Sequence, residues 1–294
     1  MGVDIMIKNE YKRYLKSKFN LIIIICLLIL TVINFYGTYL GQMDLQNQLA
    51  HPAEDLNIEK AQELFSGYNG FTYLGNLLFS SDFYILTVLV LLIGFGAVIG
   101  DVTYKNLRSG YGNLLVLRCG YRQYIKKTLA AQCGYIITFV WGYFVAVGIV
   151  AMILFKVSSQ VTMNIAASNG VLSVIVYLAG HLLILSLYLC VLFIICSLST
   201  IIIDNKYMVQ LVPIVLYAVP MLLASTLGNA SNTMATLFSV LNSESFLFNI
   251  RHLLTAELTV WKILVGSFGL PAFFLAIAAI LYRANCGKYE KGYI

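Results

Sequence analysis

Charge is scarce in this chain. Only 11% of its 294 residues are Asp, Glu, Lys or Arg, while 60% are hydrophobic, against about 25% and roughly 45–50% in ordinary soluble domains. Water is therefore not its main solvent. Cysteine patterning is also absent: Cys26, Cys119, Cys133, Cys190, Cys196 and Cys286 form no C-x-x-C and no Cys/His cluster. None falls in a segment expected outside the cell, which removes a disulfide framework and a zinc site from consideration. The glycine-rich loop that cradles nucleotide phosphates is missing too. The one Gly-Lys pair, Gly287 and Lys288, lacks the upstream glycine and is followed by Tyr289, so the chain does not use ATP directly.

Hydrolytic chemistry finds little to work with. No H-E-x-x-H, paired Ser/His or facing carboxylates occur, and each would be needed to activate a nucleophile. His51 and His252 lie in polar outer segments, and His181 alone sits in an apolar run. An intramembrane histidine is a functional candidate by default. With no carboxylate in the same run, a packing or hydrogen-bonding role is the stronger reading. Acids and bases are nearly absent from the apolar runs, which weakens the ion-channel and proton-coupled-carrier classes.

What is present is a series of uninterrupted apolar runs of about bilayer length. They predict spans at about 19–40, 83–99, 129–155, 171–202, 207–227 and 260–282. The fold class that follows is an all-α integral membrane protein with six transmembrane helices, one transmembrane domain over 1–294. The first run is too long for a signal-peptide core and has no small-residue cleavage site after it, so it reads as a retained span. The fourth exceeds the bilayer and implies tilt or a protruding end.

Residues 4–18 place Ile7, Tyr11, Tyr14 and Leu15 on one helical stripe and Lys8, Lys12 and Lys16 on another. This predicts a basic amphipathic helix in the membrane interface, with Lys8, Tyr11, Lys12, Arg13, Leu15 and Lys16 meeting lipid. A solvated basic tail is the alternative, and the regular apolar stripe argues against it. Segment 43–81 is acidic, is broken by Pro52, and predicts a short helix capped near Asp55. Segment 228–259 is mixed and predicts short or re-entrant outer helices before the sixth span.

Fifteen of the 19 Lys and Arg residues fall in the N-terminal segment, the 101–128 loop, the 204–206 turn and the C-terminal segment. The positive-inside rule puts these in the cytoplasm with both termini, and 43–81 and 228–259 outside. The net charge of +6 thus reports topology, with no nucleic-acid partner implied. Within 101–128, Tyr104, Leu107, Tyr111, Leu114 and Leu115 recur at helix-like spacing around Lys105 and Arg108. That suits a docking element for a soluble partner. It equally suits a basic loop that sets topology and touches anionic lipid.

The order of parts resembles the type-2 ABC exporter permease family over nearly the whole chain. A basic elbow helix, a span, a large outer loop and a second span lead into a cytoplasmic helix and four further spans. The matching local pattern is Asp101, Gly110 or Gly112, Leu114 with Leu115 and Leu117, Arg122, and Lys126 or Lys127. The Tyr-rich stretch 104–112 departs from the Gly-Thr common in the family. The resemblance implies a coupling helix within 101–115 whose Asp101, Tyr104, Lys105, Leu107, Arg108, Tyr111, Leu114 and Leu115 meet a cytoplasmic ABC ATPase. Two ATPase copies and a second permease copy, identical or homologous, complete such an assembly in a bacterial cell membrane. ATP and Mg would be held by the partner. This chain would bind no cofactor and catalyse nothing by itself, while moving an amphipathic or hydrophobic cargo such as a peptide, lipid-linked molecule or drug. A secondary carrier or channel without an ATPase is the main rival, and a membrane-embedded enzyme the lesser one.

Overall fold

The computed structural model describes residues 3–52, 58–79, 81–108, 111–155, 171–227 and 260–290, and all regular structure among them is helical. The chain is a polytopic, all-helical membrane protein: six of its helices are long and apolar enough to cross a bilayer. In order, α1 is Val3–Leu15, α2 Phe19–Ala50, α3 Ile58–Ser66, α4 Gly70–Phe79 and α5 Ser81–Phe95. A π turn at Gly96–Gly100 joins α5 to α6, Asp101–Arg108. Then come α7 Tyr111–Cys119, α8 Tyr121–Leu154, α9 Val171–Ser199, α10 Lys206–Leu227 and α11 Val260–Glu290. The spans are α2, α5 with α6, α8, α9, α10 and α11. The expected outer helices of 228–259 lie outside the described residues.

Several helices outrun their apolar cores. Helix α2 continues to Ala50, ten residues past the expected end of the first span, because Gln42 to Ala50 holds helix formers and no proline until Pro52. Helix α8 starts at Tyr121 rather than near Leu129. The short helix expected near Asp55 is α3, and its predicted cap lies outside the described residues.

Contacts divide the chain into two compact units. The first holds residues 1–23, 91–139 and 183–294. Its aromatic core centres on fully buried Phe95, with edge-on Tyr135, Phe139 and Phe193 at 5.5, 5.2 and 5.8 Å. Two polar pairs are satisfied inside it, as burial favours. The Ser197 hydroxyl donates to Gln132 Oε1 at 2.6 Å, and Asn285 Nδ2 donates to the Leu198 carbonyl at 2.9 Å. At the π turn Gly96 lies against α10 so closely that a Cβ there would stand 2.7 Å from the Gln210 carbonyl oxygen. Only glycine permits that approach.

Helix α1 belongs to this unit and turns Met6, Glu10 and Tyr14 inward at a four-residue interval. Of the sequence stripe of Ile7, Tyr11, Tyr14 and Leu15, only Tyr14 is fully buried: Ile7 and Tyr11 are half-buried, and Leu15 is exposed. Asn20 secures the corner into α2. Its Nδ2 donates to the carbonyls of Tyr14 at 2.8 Å and Leu15 at 3.0 Å, satisfying orphan acceptors at the end of α1. Its Oδ1 accepts from the Tyr135 hydroxyl.

The second unit holds residues 24–90 and 140–182. Here the acidic segment folds back as α3 and α4. Asn69 Oδ1 caps α4 by accepting from the Phe71 and Thr72 amides at 2.9 and 3.3 Å. Tyr73 stacks on Phe155 with centroids 3.6 Å apart, and Phe35 meets both rings edge-on. The Tyr73 hydroxyl donates to Gln42 Oε1 at 3.0 Å, and Asn76 Nδ2 donates to Thr38 Oγ1 at 3.2 Å. These contacts make α4 a packed cap on the α2 and α8 ends of its own unit.

Candidate functional site

The segment 101–120 joins the second span to the third and belongs wholly to the first unit. Its first half is anchored rather than free. Asp101 pairs with Lys105 one turn along α6 at 2.8 Å and with Lys206 at the start of α10. The Tyr104 hydroxyl donates to the Asp204 carbonyl at 2.7 Å. The turn these residues hold is itself well formed. Asn205 Oδ1 accepts from the Tyr207 amide at 2.9 Å, and its carbonyl accepts from Val209 at 3.1 Å, which starts α10.

A second anchor comes from α1. Glu10 is only 1% exposed, and its carboxylate accepts from Asn106 Nδ2 and from Arg13 Nη1, both at 3.2 Å. A buried carboxylate costs several kcal/mol of lost hydration unless it is paired and hydrogen-bonded, and here both conditions hold. Beside it Tyr14 is fully buried and stacks on Tyr135 at 5.6 Å. Burial first, and the Glu10 carboxylate second, hold the Tyr14 phenol far above its usual range. Helix α1 is thus fastened to α6, while Lys8, Lys12, Arg13 and Lys16 remain exposed.

The second half of the segment is different. In α7, Leu114 is 61% exposed and Leu117 is 83% exposed, one turn apart, with exposed Arg118 beside them. Leu115 is half-buried. Helix α7 ends at Gly120, whose φ of +75° is the left-handed conformation that a helix-terminating glycine adopts. The Gly120 amide donates back to the Val116 carbonyl at 2.8 Å, and its own carbonyl accepts from Tyr124 at 3.1 Å. One residue therefore closes α7 and opens α8.

Of the eight residues expected to meet a partner, Asp101 and Tyr104 spend their polar groups on the α9–α10 turn. Lys105 shares Asp101, Leu107 is half-buried, and Leu114 is openly displayed. Arg108 and Tyr111 lie in α6 and α7, but their side chains fall outside the described residues. Leu117 is not among those eight, although it is exposed and its i, i+3 spacing from Leu114 places the two on one helix face. Among the described residues no three His, Cys, Asp or Glu side chains converge as a metal site. Chemically, the segment offers a small apolar edge with a cation beside it, mounted on a hydrogen-bonded base. No protein-family model, curated protein or solved structure matches the chain.

Proposed function

We propose that the chain is the membrane-spanning permease subunit of an ATP-driven exporter, with α7 as the point where a cytoplasmic ATPase docks. The observation that carries this reading is the Leu114–Leu117–Arg118 edge, displayed on a short helix between the second and third spans. Two exposed leucines on a helix of nine residues suit a groove in a soluble partner. The lack of a phosphate-binding loop in the sequence then has a simple counterpart: the nucleotide sits on the partner.

The anchors supply the mechanical side. A push on α7 passes through Gly120 into α8, and α6 is continuous with the second span. The Asp101–Lys206 pair carries it to α10, and the Glu10–Asn106 bond carries it to α1. Rigid-body movement of these elements, powered by ATP binding and hydrolysis elsewhere, would alternate access across the membrane. The spans hold few charges, which favours an amphipathic or hydrophobic cargo.

The test is co-expression with stand-alone ATPase subunits, followed by pull-down and measurement of stimulated ATP hydrolysis. Leu117→Asp combined with Leu114→Asp should weaken the complex about 30-fold or more, as central interface anchors do, with the permease still monodisperse. Transport by the purified chain alone in liposomes, unaffected by these substitutions, would replace this reading with that of a secondary carrier.

A further inference from the structure

Three cations outside α7 converge on one cavity that the docking proposal does not use. Its volume is about 440 Å3, within the roughly 300–1,000 Å3 range of ligand sites, and Arg122, Lys126 and Arg283 line it together with Tyr282. A second cavity of about 380 Å3 shares Arg122 and Cys286 with the first and is walled by Gly120, Tyr121 and the end of α7. Among the described residues no acid lines either one. Arg122 and Lys126 come from the first two turns of α8, whose N-terminus adds partial positive charge. Arg283 comes from the last part of α11. All of these residues belong to the first compact unit.

The depth of this cavity follows from the sequence. Lys126 and Lys127 are the last charges before the uncharged stretch of α8, and Arg283 is the first charge after the uncharged stretch of α11. The cavity therefore sits where both spans leave the hydrocarbon, which is the level of phospholipid headgroups. Tyr282 is an aromatic residue of the kind enriched at that level. Guanidinium groups bind phosphate oxygens through paired N–H donors, and basic pockets between spans select anionic headgroups.

We propose that Arg122, Lys126 and Arg283 form a binding site for the phosphate of an anionic phospholipid headgroup, seated between the start of α8 and the end of α11. A zwitterionic headgroup is disfavoured because its own cation would meet a basic lining. The site stands whether or not an ATPase docks on α7. Its place beside Gly120 gives a bound lipid leverage on the joint between α7 and α8.

The experiment uses the purified full chain in mild detergent. It is titrated in separate arms with short-chain phosphatidylglycerol, short-chain phosphatidylcholine and inorganic phosphate, with retained ligand read by native mass spectrometry and the thermal midpoint read in parallel. Phosphatidylglycerol should be retained and raise the midpoint, while phosphatidylcholine should not. Arg122→Gln and Arg283→Gln should each weaken phosphatidylglycerol binding about fivefold, and Lys18→Gln, an exposed cation away from the cavity, should leave it unchanged. All three cations are exposed, and Lys126→Gln should give the same loss, which keeps the test alive where an arginine variant aggregates. Equal retention of phosphatidylcholine, or inorganic phosphate binding as tightly as the lipid, overturns the assignment. So does a loss from Lys18→Gln as large as those from the cavity variants, since binding would then follow diffuse charge.

Discussion

Gly96 shows how little room a single carbon has at the joint between the second and fifth spans. A Cβ there would stand 2.7 Å from the backbone carbonyl oxygen of Gln210, and a backbone atom cannot rotate away as a side-chain tip can. The residue also lies in a π turn, where one extra residue per turn already alters the helical ladder. Gly96→Ala should therefore destabilise the protein by about 1–3 kcal/mol, read as a lower thermal midpoint in detergent. Gly37 makes the contrast, since a Cβ there meets nothing within 4 Å. Gly37→Ala should be neutral, or stabilising by up to about 1 kcal/mol through helix propensity. Equal behaviour of the two variants would mean that the α10 contact does not constrain the turn. Glu10 belongs to the same scale. Sequence pattern places it among the lysines of a basic helix, yet Asn106, 96 residues away, makes it a buried structural carboxylate.

At the scale of elements, the existence of each span was legible, and so were some ends, such as those of α10, while others were not. Hydropathy reports where lipid begins, whereas a helix stops only where caps, glycine or proline stop it. Hence α2 runs on through polar residues to Ala50, and α8 begins eight residues before its apolar stretch, at the break made by Gly120. The candidate site was half legible for a related reason. The leucines of α7 stand out in sequence, but nothing local shows that Asp101 and Tyr104 are held by a turn a hundred residues later. That tie makes a prediction about elements. Asp101→Asn removes the carboxylate charge shared by Lys105 and Lys206, and the start of α10 loses its anchor. Amide exchange over residues 206–210 should then speed up about tenfold, the size expected for losing a charged hydrogen bond. Exchange within α4, which belongs to the other compact unit, should stay as it was. Unchanged protection at 206–210 would show that Asn205 capping alone holds the turn.

For the whole molecule, burial differs widely from span to span. Helix α9 has 72% of its most apolar window buried, and α10 has only 17%. The exposed positions of α10 are not scattered: Met208, Leu211, Val215, Val219 and Leu222 recur every three or four residues on one face, opposite buried Val209 and Tyr217. Lipid covers such a face adequately, so apolar exposure alone does not require a protein neighbour. The exporter reading does require one, because a transport path between two permease copies needs a face that each copy lends to the other, and an isologous pair brings the same residues together across its axis. In a cysteine-free background, Val215→Cys and Val219→Cys should therefore give an oxidised dimer in native membranes. Ile153→Cys, equally apolar and 76% exposed on α8, should not. Dimer formation at all three positions would reflect random collision in the bilayer. Its absence at 215 and 219, in protein that still exports, would move the shared face to another of the less buried spans, α2, α8 or α11, each with 28% of its apolar window buried.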